Sequence, residues 1–209
     1  MIISDTDKWM ILSATRTGST LIVDFIRSVY ESNLKTIHFI SHDMHECKDY
    51  YVKHSHTLQD YFLFKDDPLI KIVISTRDII ESSLSWCITK RHKVFYSYDE
   101  KSKPTMEPFV LDSEELLYTY SKLKEFYLGI TDINDRTIII DYDQFKDDPR
   151  NLFKLLDLES YADSTQLKLP IKNEPYKVFI KNWNEIEKLA DTLKNNKPFL
   201  VKDRLTTLY

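Results

Sequence analysis

Glycine is nearly missing from this chain: its 209 residues contain two, Gly18 and Gly129. Gly-rich linkers and glycine repeats are thereby excluded, and each glycine that remains is expected to have a backbone role. Gly129 follows a helical pattern and fits a helix C-cap; Gly18 stands in a turn considered below. Cysteine is equally scarce. Cys47 and Cys87 form no CxxC and no Cys/His zinc spacing, which argues against a disulfide framework and a zinc module. Cys87 falls in an apolar helical pattern and reads as a buried thiol. No basic leader precedes a long apolar run at MIISDTDKWMILSA, and no stretch approaches the roughly 20 apolar residues of a membrane span. The expectation is a soluble, cytoplasmic protein with no membrane partner. Excess positive charge is also absent: 29 Lys and Arg against 33 Asp and Glu leave a net charge of −4. No nucleic acid partner is expected from that balance. No repeat, low-complexity tract or dividing linker appears, so residues 1–209 read as one domain.

Apolar residues make up 42% of the chain and aromatics 13%, enough for a real core. KWMILSA (8–14), IKIVIST (70–76) and TIIIDY (137–142) read as buried strands. Weaker extended pieces lie at 36–40 and 50–54. Helical spacing runs through 19–31, 56–64, 79–93, 112–128, 148–157 and 184–195. Asp112-Ser113-Glu114-Glu115 opens one of these helices with acids in its first turn. Residues 94–111 read as a long loop, of the kind that serves as a lid or substrate wall, and 165–180 as irregular. Strands alternating with helices point to an α/β fold of three layers, with a mainly parallel sheet between helices.

The turn Ala14-Thr15-Arg16-Thr17-Gly18-Ser19-Thr20 joins an apolar strand to an apolar helix. A helix N-terminus offers N–H donors and partial positive charge to a phosphate. Gly18 allows close approach of the backbone, Ser19 and Thr20 supply hydroxyls where the helix opens, and Arg16 adds a forked cation. This P-loop-type turn is not a Walker A motif: Ser19 stands where the lysine belongs and the first glycine is missing. Against a phosphate site stands a plain helix start with an exposed arginine.

A second constellation lies in KIVISTRDIIESSLSWCITK. Arg77 ends a strand, and Ser85 follows eight positions later on the next helix, in a stripe with Ser82, Trp86 and Thr89. Ligands of open α/β sheets bind at the carboxyl ends of strands, so Arg77 shares an edge with the first turn. The bland alternative is a surface arginine above an amphipathic helix. Two anion sites on one edge suit a nucleoside phosphorylated at both ends, the shape of 3′-phosphoadenosine 5′-phosphosulfate (PAPS).

Arg16-Thr17-Gly18-Ser19-Thr20-Leu21 together with Arg77 and Ser85 resembles the signature pair of the PAPS-dependent sulfotransferases. The arginine in the loop, with Asp78 and Trp86, looks most like the bacterial branch typified by trehalose sulfotransferases. Asp141-Tyr142 followed by a short helix is similar too. The resemblance implies PAPS as sulfuryl donor and no metal. It implies that Arg16, Thr17, Gly18, Ser19 and Thr20 hold the 5′-phosphosulfate, and that Arg77 and Ser85 hold the 3′-phosphate. Two departures stand out. The trehalose branch's glutamate base has no counterpart around Leu34–Ile37, and the Arg-Lys-Gly phosphate segment of the cytosolic branch is absent.

Sulfuryl transfer needs in-line positioning, stabilisation of the leaving oxygen and a base for the acceptor hydroxyl. Arg16 is the candidate for the leaving group. His56, then His54, is the candidate base, with Lys53 assisting, since VKHSH loosely resembles a Lys-x-His strand end of cytosolic sulfotransferases. Surface histidines in a polar loop are the alternative. His38, His42 and His45 lack the acidic or cysteine framework of a metal site. The function expected is transfer of a sulfuryl group to a hydroxyl or amine of a small-molecule or glycan acceptor. The competing readings are a P-loop-type ATP kinase and a non-catalytic nucleotide-binding protein. Neither the acceptor nor the oligomeric state is written in the sequence.

Overall fold

The computed structural model describes residues 8–30, 35–37, 51–93, 106–163, 165, 167, 175–195 and 205, with the backbone alone for 35–37 and 51. Five strands form one sheet: β1 (Lys8–Ser13), β2 (Lys35–Ile37), β3 (Tyr51–Ser55), β4 (Ile70–Thr76) and β5 (Thr137–Asp141). Their spatial order is β2-β3-β1-β4-β5, and every pairing is parallel. Parallel neighbours need crossovers. Among the described residues α1 (Ser19–Val29) lies between β1 and β2, α2 (Leu58–Phe64) between β3 and β4, and α3 (Ile79–His92) and α4 (Ser113–Leu128) between β4 and β5; α5 (Asn151–Leu155) and α6 (Trp183–Asn195) follow the last strand.

Strand alternation divides the core into two faces. Trp9 and Ile11 of β1, Val52 of β3, Val73 of β4 and Ile140 of β5 pack with α1 and α5 through Ile22, Phe25, Ile26, Leu152 and Phe153. Met10, Leu12, Ile72 and Ile74 pack on the other face with Tyr61 and Phe64 of α2 and Leu123 and Tyr127 of α4. A third cluster joins α3, α4 and α6 around Leu84, Cys87, Leu116 and Ile186. The fold is therefore the expected three-layer α/β arrangement around a parallel sheet.

The strand expectations at 8–14, 70–76 and 137–142 hold to within a residue. The extended piece at 36–40 is observed at 35–37, and 38–40 lie outside the described residues. The helix expected at 56–64 begins at Leu58, because the Thr57 side chain accepts the Asp60 amide and caps it. The helix expected at 148–157 shrinks to Asn151–Leu155. Asp112 caps α4 as anticipated, accepting from the Glu114 amide. Gly129 does end α4, but with an ordinary φ of −72°. The requirement there is space, since a Cβ would run into Leu58. Residues 94–105 of the expected loop lie outside the described residues. Its end is anchored: Phe109 donates to the Phe179 carbonyl at 2.9 Å, and Lys181 donates to the Phe109 carbonyl at 2.8 Å. Cys87 is a buried free thiol whose pKa burial pushes up to about 11. Cys47 lies outside the described residues. Among the described residues no helix is long and apolar enough to cross a membrane.

Candidate functional site

The strand order fixes where a ligand can be met. The crossover from β1 leads toward β2 on one side, and those from β4 lead toward β5 on the other. The carboxyl ends of β1 and β4 therefore flank a switch point, the crevice in which open α/β sheets bind ligands. The Arg16 turn leaves β1 there, and Arg77 leaves β4 beside it.

The turn is held from below. Ser75 Oγ donates to the Thr17 carbonyl at 2.8 Å, and Thr17 Oγ1 donates to the Ala14 carbonyl at 3.4 Å. Arg16 has a φ of 63° and Gly18 a φ of 77°. Left-handed backbone costs a non-glycine residue roughly 1–2 kcal/mol, so the conformation of Arg16 is imposed by its surroundings. Gly18 is the N-cap of α1, which has no side-chain cap and no acid in its first turn. Ser19 and Thr20 are the first two residues of the helix, as expected. Ser19 is buried and turned toward β3. Its Oγ accepts from Ser13 Oγ at 2.9 Å and shares a 2.8 Å hydrogen bond with His54 Nε2. Thr20 is half-buried in the first turn.

The two sequence motifs meet. Arg16 Nε donates to Ser85 Oγ at 3.0 Å, and Arg77 Nη1 donates to the Arg16 carbonyl at 3.3 Å. Burial lowers the pKa of Arg16, and the neighbouring charge of Arg77 lowers it further. The charged form of Arg16 is thus disfavoured, a condition that an anion beside it would relieve. Arg77 is held by more than Arg16. Its Nη2 donates to Tyr176 Oη at 2.9 Å, Glu81 Oε2 lies 3.7 Å from the same nitrogen, and the Tyr142 ring sits 4.6 Å from the guanidinium carbon. Tyr142 also roofs Gly18, together with Phe145. On α3, Ser82 Oγ is buried without a hydrogen-bond partner.

The histidines of β3 lie on the α1 side of the sheet. His54 is buried at 5% exposure, and the His54 and His56 rings lie 4.4 Å apart. His56, exposed just beyond the strand, places Nδ1 3.0 Å from the Ser13 carbonyl and 3.2 Å from Ser13 Oγ. A carbonyl only accepts, so Nδ1 carries the proton and Nε2 is the basic nitrogen of the neutral ring. Lys53 does not join them. Alternation turns it to the opposite face, where it is fully buried and pairs with Asp60 of α2 at 2.9 Å. The structure thus places Lys53 in a link between β3 and α2, away from the histidines it was expected to assist. His38, His42 and His45 lie outside the described residues. No group of three His, Cys, Asp or Glu that could hold a metal occurs among the described residues.

Sequence reasoning missed Tyr176, Glu81, Ser13 and Ser75. The two serines carried a signal, each being a hydroxyl near the end of an otherwise apolar strand. Tyr176 carried none, because its partner Arg77 lies 99 positions away.

Sulfotransferase structures are among those this chain resembles. Mouse sulfotransferase SULT7A1 complexed with PAP is similar over 90% of this chain and 64% of its own length, at 11% identity and a TM-score of 0.38. Retinol dehydratase in complex with androsterone and inactive cofactor PAP is similar over 90% of this chain and 66% of its own, at 12% identity and a TM-score of 0.41. The chain thus spans just under two thirds of each. No protein-family model matches it, and no curated protein sequence does.

Proposed function

We propose that the chain is a PAPS-dependent sulfotransferase acting on a hydroxyl or amine of a small-molecule or glycan acceptor, in motif style closest to the trehalose-sulfotransferase-like branch. One observation carries the reading: Arg16 reaches Ser85 while Arg77 reaches Arg16, so the glycine turn and the second strand end form one basic crevice. The uncapped N-terminus of α1 and the adjacent Arg16 and Arg77 guanidiniums, the first with its charged form disfavoured by burial and by Arg77, fit a ligand with anionic groups at both ends. Thr17, Gly18, Ser19 and Thr20 would hold the 5′ end with Arg16, and Arg77 and Ser85 the 3′-phosphate. When bound, PAPS supplies an activated sulfuryl group on a good leaving phosphate. The protein's own contribution would be placement and charge. Arg16 would stabilise the leaving oxygen, and the Ser13 carbonyl holds His56 in the tautomer whose Nε2 would take the acceptor's proton. No lysine follows Gly18 as an ATP kinase would require, which disfavours that reading.

Isothermal calorimetry with adenosine 3′,5′-bisphosphate tests this. Wild-type protein should bind, and Arg77→Ala should weaken binding by about 1.5–3 kcal/mol, the worth of a charged hydrogen-bonded contact. In a PAPS turnover assay, His56→Ala should lose activity while its bisphosphate affinity is unchanged. A wild-type protein that does not bind the bisphosphate would overturn the reading.

A further inference from the structure

We infer that Tyr176 is a positioning residue that fixes Arg77 for recognition of a nucleotide's 3′-phosphate; this rests on the sulfotransferase reading of the crevice. The hydrogen bonds have a defined direction. Tyr176 Oη donates its one proton to the Glu81 carbonyl at 3.1 Å, so toward Arg77 Nη2 it can only accept, at 2.9 Å. Burial raises the phenol's pKa, which keeps that proton in place. The Arg77 guanidinium is thereby restrained on both terminal nitrogens, by Arg16 and by Tyr176, and against one face by the Tyr142 ring. Of its five N–H donors, two are committed in these bonds. Glu81 at 3.7 Å adds an ion pair beyond hydrogen-bond distance, which leaves donors for an anion.

Tyr176 is itself anchored at a distance from the crevice. It lies in a 3-10 turn, Tyr176–Val178, that follows Pro175. Behind that turn the chain is pinned twice. Phe109 donates to the Phe179 carbonyl and accepts from the Lys181 amide, and the Asn182 side chain bonds both the Leu111 amide and the Leu111 carbonyl at 3.0 Å. The segment that brings Tyr176 to Arg77 is thus set by packing against α3 and α6. Pre-setting a long arginine side chain removes the rotamer entropy that binding would otherwise cost, and the benefit falls on whichever ligand group Arg77 meets.

The test is calorimetric binding of two nucleotides, adenosine 3′,5′-bisphosphate and ADP, which lacks the 3′-phosphate, to wild type, Tyr176→Phe, Arg77→Ala and the double variant. Tyr176→Phe keeps the ring in its packing and deletes the hydroxyl; Tyr176→Trp is the second hydroxyl-free variant should the first not fold. Bisphosphate affinity is expected to fall about tenfold in Tyr176→Phe, while ADP affinity stays within twofold. In the Arg77→Ala background the same change should cost nothing further. Equal losses on both nucleotides, no loss on either, or a full additional loss without Arg77 would each overturn the role of Tyr176. Wild-type protein that binds neither nucleotide would instead overturn the sulfotransferase reading, and this inference with it.

Discussion

Gly18 is the residue on which the crevice is least tolerant. Its φ of 77° suits glycine, and a Cβ there would strike the Tyr142 ring and crowd Phe145. Backbone strain of roughly 1–2 kcal/mol adds to an overpacking cost of roughly 1–3 kcal/mol. Gly18→Ala should therefore lower stability by about 2–5 kcal/mol in urea unfolding; a loss below about 1 kcal/mol would show that the turn relaxes easily. The glycine's importance was legible, because a lone glycine between a strand and a helix has few other reasons to be there. Its occupation of the cap position was less so, since Ser19 is the better capping residue by preference. Ser19 is instead the first residue of the helix, with its hydroxyl engaged from the strand side by Ser13 and His54. Arg16 was chosen for its charge. That it also adopts left-handed backbone, offering its carbonyl to Arg77, depends on a contact 61 positions away.

Between β3 and α2 the decisive link is the Lys53–Asp60 pair, with Ser55 donating to the second carboxylate oxygen at 2.6 Å. Both partners are almost wholly shielded from water. Removing one leaves the other charge buried, which costs about 3–5 kcal/mol, whereas replacing both with apolar groups of similar size is often near neutral. Asp60→Ala should thus destabilise the protein by that amount in chemical denaturation, and Lys53→Met with Asp60→Leu should recover most of it. A destabilisation by Asp60→Ala under about 1 kcal/mol would mean that the pair is open to solvent. The sequence invites a different view of Lys53, since a lysine beside two histidines suggests chemistry. Alternation along an extended strand separates them, and that geometry reads correctly only once the strand's limits are known. Elements with long apolar runs, β1, β4 and β5, were legible for the opposite reason: burial on both faces leaves little ambiguity in their extent. Short helices such as α5 were over-extended, because their ends depend on tertiary contacts more than on spacing.

Across the whole molecule, the order β2-β3-β1-β4-β5 sets the two motif-bearing strands side by side, and the nucleotide proposal depends on that adjacency. A ligand gripped from both strands stabilises the entire fold by mass action. Adenosine 3′,5′-bisphosphate at about 100 times its dissociation constant adds about 2.7 kcal/mol, which for a chain of this size is a rise of roughly 5–11 °C in Tm. Thermal unfolding with the bisphosphate, and with ATP and Mg²⁺, checks this. The rise should accompany the bisphosphate; a rise with ATP and Mg²⁺ alone would favour the kinase reading instead. The layering was legible from the alternation of element types, while the placement of β1 between β3 and β4 was not, since no local pattern encodes strand neighbours. That central placement also bears on how the polypeptide assembles. The strand translated first of the five must wait for its first strand partner, β3, about 40 residues downstream, some 2–8 s at ordinary elongation rates. Until then β1 has no strand beside it, and α1, the next element in sequence, is what can shelter Trp9 and Ile11 from chaperones that recognise extended hydrophobic peptide.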